Sequence, residues 1–456
     1  MAKRKVLKIT PILVTLNILV LLIIVAFYTT RLIKYYLKEN GHRGEDVVLL
    51  VEELKKHRSY LDETKGLVFD EEKNIYTYKG EVDDNYLLYS GIMYRILGID
   101  ENENMKAVSE ENVTILYPGY NKGYEKSYVN KWLNSSDEKY SGIFENTLVN
   151  SGGLLEKTTM CYDVIDDPSN ITCEEKNGDY KVALLSLYDY KEAGGKTSFL
   201  NNDTQYHLGT LNKDGLNYSV TEDGEVVINK SSTVTVKPVI TINSGTELLR
   251  GSGTEDDPYI IEKHNIDTLG DTYVNSVVLI NNTTYKVVEI QEDKVKVAST
   301  DVLLKDADNE YYTAFGGSNS AYSTSNTVGK YLNNTFLNSL DVKSSVVASN
   351  YYIGALSLAN LDYAKTYESK VKAKVGMLTI GDMFVSDLTN VFTTLRGMQA
   401  SNIITVINEN GNLFADTINS KYNVRPAFYL KSDLKITSGD GTIDSPFELG
   451  ENNEQE

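Results

Sequence analysis

Two cysteines, four histidines and one tryptophan stand in a chain of 456 residues, and 45 lysines and arginines face 64 aspartates and glutamates. Each shortage excludes a class of protein. Two cysteines cannot build a disulfide-dense scaffold, a four-cysteine zinc site or an iron–sulfur centre. Histidines at 42, 57, 207 and 264 are scattered and leave little material for histidine-based metal or acid–base chemistry. A formal charge of −19 argues against nucleic acid as a partner, because phosphate neutralisation needs concentrated positive charge. The sequence carries no Gly-x-Ser-x-Gly, phosphate-loop or His-Glu-x-x-His motif.

What is present is enough apolar material for real cores, 41% of residues, in a length that suggests two or three domains of ~150 residues each. The charge is uneven. Residues 1–43 hold eight basic side chains and one acidic, Glu39, leaving 37 basic against 63 acidic groups in residues 44–456, a net −26.

Within the basic head, Pro11 to Thr30 is uncharged and rich in Leu, Ile and Val. As a helix rising about 1.5 Å per residue it would span roughly 30 Å, the thickness of a bilayer core. The run is too long for a signal-peptide core and ends without a small-x-small cleavage site. The expectation is a single-pass signal anchor contacting the lipid bilayer through residues 11–30. A short cytoplasmic tail at 1–10 precedes it, and the C-terminal body is extracytoplasmic. Residues 31–70 read as a juxtamembrane helix or stalk: either a stalk or dimerising coiled coil or, in preference because there are too few heptads, a short helix that packs on the following domain.

The body is a repeat. Asn85–Ser109 matches Asn275–Ser299, with Tyr94 opposite Tyr285 and Arg95 opposite Lys286. Tyr128–Asn134, containing Trp132, answers Thr327–Asn333, containing Tyr331. Lys181–Asp189 answers Lys374–Asp382. Asp223-Gly224 and Asn410-Gly411 mark a hairpin in each copy. Lys237-Pro238 pairs with Arg425-Pro426, and Gly251-Ser252-Gly253-Thr254 with Gly439-Asp440-Gly441-Thr442. The order is kept throughout, which defines homologous modules at 75–262 and 267–450 and a short acidic tail at 451–456. Strands open and close each module around a helical, loop-rich middle, which predicts an α+β fold with a mostly antiparallel sheet. Direct pairing of the Tyr-Arg strand with the Arg-Pro strand would bring the module ends together.

Taken in order, Gly91–Ile96, Ser127–Asn134, Lys181–Tyr190 and the two Gly-x-Gly-Thr endings resemble a family of domains of unknown function, often tandem, in exported and membrane-anchored proteins of Gram-positive bacteria. Tyr94 and Tyr285 stand where that family usually has Trp, and Lys237 where it has Arg. A weaker likeness to the C-type-lectin-like fold of formylglycine-generating enzymes implies paired terminal strands and a site in the loops. The expected architecture is thus an N-terminal transmembrane helix followed by two homologous modules with C-type-lectin-like character.

Cys161 and Cys173 lie in the polar loop of the first module only. In an oxidising exterior they read as one disulfide closing a surface loop, worth about 2–3 kcal/mol. A redox or copper-binding pair, as formylglycine-generating enzymes use, is the alternative. Glu255, Asp256 and Asp257, with Asp440 and Asp444 in the other copy, read as turn residues ahead of Pro258 and Pro446, against a calcium site. Arg95, Lys286, Lys237 and Arg425 are expected on polar strand faces or paired with a carboxylate such as Asp189 or Asp382. Trp132 reads as core, and His207 and His264 as surface or locally hydrogen-bonded residues.

No catalytic, cofactor or metal residues are assigned. The repeat framework comprises Tyr94, Arg95, Trp132, Asp189, Pro238 and Gly253, and in the second copy Tyr285, Lys286, Tyr331, Asp382, Arg425, Pro426 and Gly441. A duplicated framework without a duplicated catalytic constellation predicts non-catalytic recognition of a surface glycan or protein. A glycan-active envelope enzyme with its site in the loops of one module, and a structural subunit of a membrane complex, are the alternatives.

Overall fold

A computed structural model describes residues 47–450 apart from 117–123, 136–147, 149–152, 162–163, 170, 174–175, 229–232, 302, 304–311, 314–321, 357–369, 380–381, 383–390, 398–402 and 408–412. The chain divides into Met1–Val48 and a compact unit, Leu49–Glu456. The structure as a whole holds far more strand than helix, 40% against 15%, and the α+β expectation is corrected accordingly. Among the described residues most helical patterns become one- or two-turn caps between strands. The longest helical run among the described residues, Thr327 to Ser339 with a π segment at Leu332–Phe336, reaches roughly 20 Å against the ~30 Å of a bilayer core. No helix among the described residues is long and apolar enough to cross a membrane. The anchor expected at 11–30, like the tails at 1–10 and 451–456, lies outside the described residues.

Both modules are built on one strand order. In the first, Tyr259–Ile260 pairs in parallel with Tyr86–Tyr89, followed by Ile92–Ile99, Met105–Ser109, Pro238–Ile242 and Ala183–Leu184. The second repeats this as Phe447–Leu449, Val277–Ile280, Thr283–Ile290, Lys294–Ser299, Ala427–Lys431 and Val375–Gly376. Tyr94 lies opposite Leu87 and Tyr285 opposite Val278, so Tyr86 corresponds to Val277. Both second strands carry a bulge at the same place, after Ile96 and after Val287.

The opening and closing strands share a sheet without touching. The Met105–Ser109 and Lys294–Ser299 strands run between them. The module ends instead meet through the parallel strand that follows each Gly-x-Gly-Thr turn. There Tyr86 N–H donates to the Gly253 carbonyl, and Val277 N–H to that of Gly441.

The first sheet extends further than its partner. Gly66–Asp70 and Ile75–Lys79 form a hairpin on the outer edge of Ile92–Ile99, so this module begins ahead of residue 75. Its close approach explains Gly98, where an added Cβ would lie 2.1 Å from the Tyr76 carbonyl oxygen. The helix Leu50–Lys56 buries Leu50, Val51 and Leu54 in the same core, while Val47 and Leu61 are exposed. It is a short helix packed on the module that follows, and residues 31–46 lie outside the described residues.

Tyr94, Trp132 and Tyr206 anchor the first core, and Tyr285, Val297 and Phe428 the second. At the junction Glu262 accepts from Ser90 N–H at 2.8 Å and Tyr273 O–H at 3.1 Å. The Tyr273 ring lies where any side chain at Gly91 would project.

Candidate functional site

The two framework aspartates mark equivalent places, and each holds a lysine that sequence reasoning did not single out. Asp189 lies in the first turn of helix Leu187–Glu192, in a capping box with Ser186. Its two oxygens each lie 2.8 Å from Lys106 Nζ. Asp382 accepts from Thr379 N–H at 2.7 Å and Thr379 O–H at 2.9 Å, and its Oδ2 lies 2.6 Å from Lys296 Nζ. Lys106 sits opposite Gly98 and Lys296 opposite Glu289, directly after the shared bulge. The first pair keeps side-chain exposures of 23% and 16%, whereas the second is down to 3% and 0%.

A cleft opens over each pair. The first, about 140 Å³, takes its walls from the extra hairpin (Ile75, Tyr76), from Leu97 and Met160, and from the disulfide of Cys161 and Cys173. These cysteines are bonded with a Cα–Cα distance of 5.6 Å. The second, about 70 Å³, is lined by Tyr351, Tyr352, Tyr429, Lys294, Lys370 and Glu289. Thr158–Cys161 pairs with Lys176–Tyr180 as Ser349–Tyr352 pairs with Lys370–Ala373, so Cys161 occupies the place of Tyr352. Glu289 occupies the place of Gly98, since no described strand covers that edge of the second sheet.

The second cleft is internally braced. Glu289 Oε2 accepts from Tyr429 O–H at 2.7 Å, and its Oε1 from Gln291 Nε2 at 2.6 Å. Tyr351 O–H donates to the Ala427 carbonyl at 3.1 Å. Burial pushes both tyrosine hydroxyls well above their ordinary range, with the Glu289 carboxylate raising Tyr429 further. They act as donors throughout the physiological range.

Of the other framework cations, Arg95 pairs with a carboxylate, as expected, but with one other than Asp189 or Asp382: its Nη1 lies 3.7 Å from Glu110 Oε2. Arg95 is buried, donating through Nε to Asn85 Oδ1 at 2.7 Å and through Nη2 to the Val82 carbonyl at 2.6 Å. Its guanidinium lies 3.8 Å from the Tyr86 ring centre. Lys237 donates to the Glu110 carbonyl at 2.6 Å, and Arg425 to the equivalent Thr300 carbonyl. Both tie the closing strand to the chain leaving the third strand. Burial lowers Lys237 to about 8 and Arg425 below its usual value.

A second repeated node had also gone unremarked. Asn134 Nδ2 donates to the Val182 carbonyl at 2.8 Å, and its Oδ1 accepts Val182 N–H at 3.0 Å, with Tyr124 O–H on the same carbonyl at 2.6 Å. Asn333, Val375 and Tyr322 repeat this at 2.9, 3.1 and 2.7 Å. Trp132 and Tyr331 lie on the two helices that carry these asparagines, Trp132 buried and Tyr331 half-buried. Lys286 is half-buried on the second strand, and Pro238 and Pro426 begin or precede the closing strands.

His207 and Ser219 meet at 3.0 Å, the spacing of a nucleophile and its base. They are 3% and 0% exposed, which closes the pair to substrate and makes it a core hydrogen bond. His264 Nε2 lies against the Asp271 carbonyl. In the acidic endings, Asp440 Oδ1 accepts from Thr442 N–H and O–H at 3.0 and 2.7 Å, a self-capped turn. Among the described residues no three His, Cys, Asp or Glu side chains gather as a metal site would require.

No family model, curated protein or solved structure matches this chain.

Proposed function

We propose that the chain is a two-module recognition protein that binds a surface ligand, glycan or protein, without turning it over. The observation behind this reading is that a cleft floored by a Lys–Asp pair recurs at one position of a duplicated framework. Both aspartates are committed to lysine and to a capping hydroxyl, which suits a rigid floor better than proton transfer. Rigid walls lower the ordering cost of binding, and ring faces beside amides and ammoniums fit sugar hydroxyls and acidic groups. The Cys161–Cys173 bond favours an extracytoplasmic location. A glycan array and a pull-down with the full chain test the reading. Saturable binding that falls when a bulky residue enters either cleft supports it, and no binding in either experiment overturns it.

One observation favours the enzyme reading in second place. Four carboxylates, Asp100, Glu101, Asp189 and Glu192, line the first cleft, and paired carboxylates can cleave glycosidic bonds. Release of reducing sugar from envelope glycan, abolished by Glu192→Gln, would establish that reading.

A further inference from the structure

We infer that Glu262 makes the joint between the two modules responsive to pH, favouring closure as the pH falls. Each large sheet draws its strands from one module, and among the described residues no strand pairing joins the two. Side chains make the crossing. Glu262, on the connecting segment, accepts Ser90 N–H of the first module at 2.8 Å and Tyr273 O–H of the second at 3.1 Å, both on Oε1. The Tyr273 ring lies over Gly91, and Val274 packs against the first core.

These contacts lie outside the repeated framework. Tyr259 and Phe447 hold equivalent places beside the opening strands. Three residues further on, the second module has Gly450 where the first has Glu262. The framework itself therefore needs no carboxylate at this position.

The other oxygen, Oε2, is shielded from solvent and has no hydrogen-bond partner. Charge held there is costly, because water is removed and nothing replaces it. The groups that face it compensate little. Tyr89 and Tyr94 from the first module and Tyr273 from the second are kept neutral by burial. His264, two residues along the linker, stacks on Tyr273 with ring centres 4.9 Å apart. Glu247 and the exposed Lys263 border a groove of about 370 Å³ that also reaches Glu262.

Burial raises the Glu262 carboxyl above its ordinary range by more than the two hydrogen bonds and His264 lower it. In an open joint the same carboxyl is hydrated and titrates in the ordinary range. The closed joint thus holds the proton more tightly, and protons favour closure. That extra stability is complete below the ordinary carboxylate range and is lost as pH rises through the raised value. An interface held by a few side chains can respond to a change of this size.

Single-molecule energy transfer in the full chain tests this, with dyes on Lys213→Cys and Ile443→Cys, exposed positions in the first and second modules. The native cysteines are bonded to each other and take no label. The ratio of closed to open molecules should rise about threefold or more between pH 7.5 and 4.5. Glu262→Gln keeps an acceptor for Ser90 and Tyr273 without the charge, and should hold the ratio near its acid value throughout. Tyr273→Phe removes a bond to the ionised form and should move the midpoint to higher pH. His264→Gln should leave the response in place. The inference falls if the parent ratio does not move, or if it moves equally in Glu262→Gln, as general neutralisation of the acidic body would produce. A midpoint unmoved in Tyr273→Phe, or a response lost in His264→Gln, also overturns it.

Discussion

Lys296 and Asp382 meet at 2.6 Å with almost no solvent contact, while Lys106 and Asp189 make the same bond part-exposed. Removing one partner of a buried pair leaves a charge without compensation, so Lys296→Met should cost about 3 kcal/mol or more. Lys106→Met should cost less than half of that, because water can solvate Asp189. Lys296→Met/Asp382→Leu should recover most of the loss. Urea midpoints of the four proteins check the order. His207 makes a second, independent prediction. Burial lowers its pKa from 6.5 to about 4, so as pH falls the unfolded chain takes up the proton first. Stability is then complete above pH 6.5 and drains between 6.5 and about 4, by up to about 3 kcal/mol. Unfolding midpoints at pH 7 and 4.5 measure the slope, which His207→Gln should flatten. Asp189 and Asp382 were legible because they recur at a fixed place after matching apolar runs. Their lysines were not, since alternation along a strand looks the same whether its polar face meets water or a covering layer.

At the scale of elements, the Gly-x-Gly-Thr turns show how much a short motif can carry. Gly251 and Gly439 adopt φ values of +97° and +87°, and a Cβ on either would lie 1.9 or 2.1 Å from a proline carbonyl oxygen. Gly439→Ala should therefore cost about 2–4 kcal/mol, seen as a lowered melting temperature, with the equivalent change at Gly251 behaving alike. Both turns were readable as turns, and their strands' parallel pairing with Tyr86–Tyr89 and Val277–Ile280 was not. Parallel partners are set by tertiary packing, which leaves no local signature. The expected contact between opening and closing strands failed for a related reason. Apolar character placed both in one sheet, but the third strand, reached by a short turn, pairs first with its neighbour. Asn134 and Asn333 illustrate the same limit. Each stands in the sequence only as the last residue of a repeated block, and each is a bracket holding the Val182 or Val375 backbone to the helix.

Across the whole molecule, duplication was the feature most visible in the sequence, since it depends on the order of blocks rather than on any single residue. The balance of strand over helix was less so, because short capped helices share the apolar spacing of longer ones. The copies differ at their clefts. An extra hairpin and a disulfide wall the first cleft, while the second, without that cover, exposes Glu289 and a group of lysines. Hydrogen–deuterium exchange of the full chain, with and without a ligand that it binds, tests the central claim most directly. The account predicts protection confined to strands that line a cleft, Met105–Ser109 and Thr158–Cys161 or Lys294–Ser299 and Ser349–Tyr352. Protection centred on the Gly-x-Gly-Thr turns or the Glu262 junction, with both clefts unchanged, would contradict it.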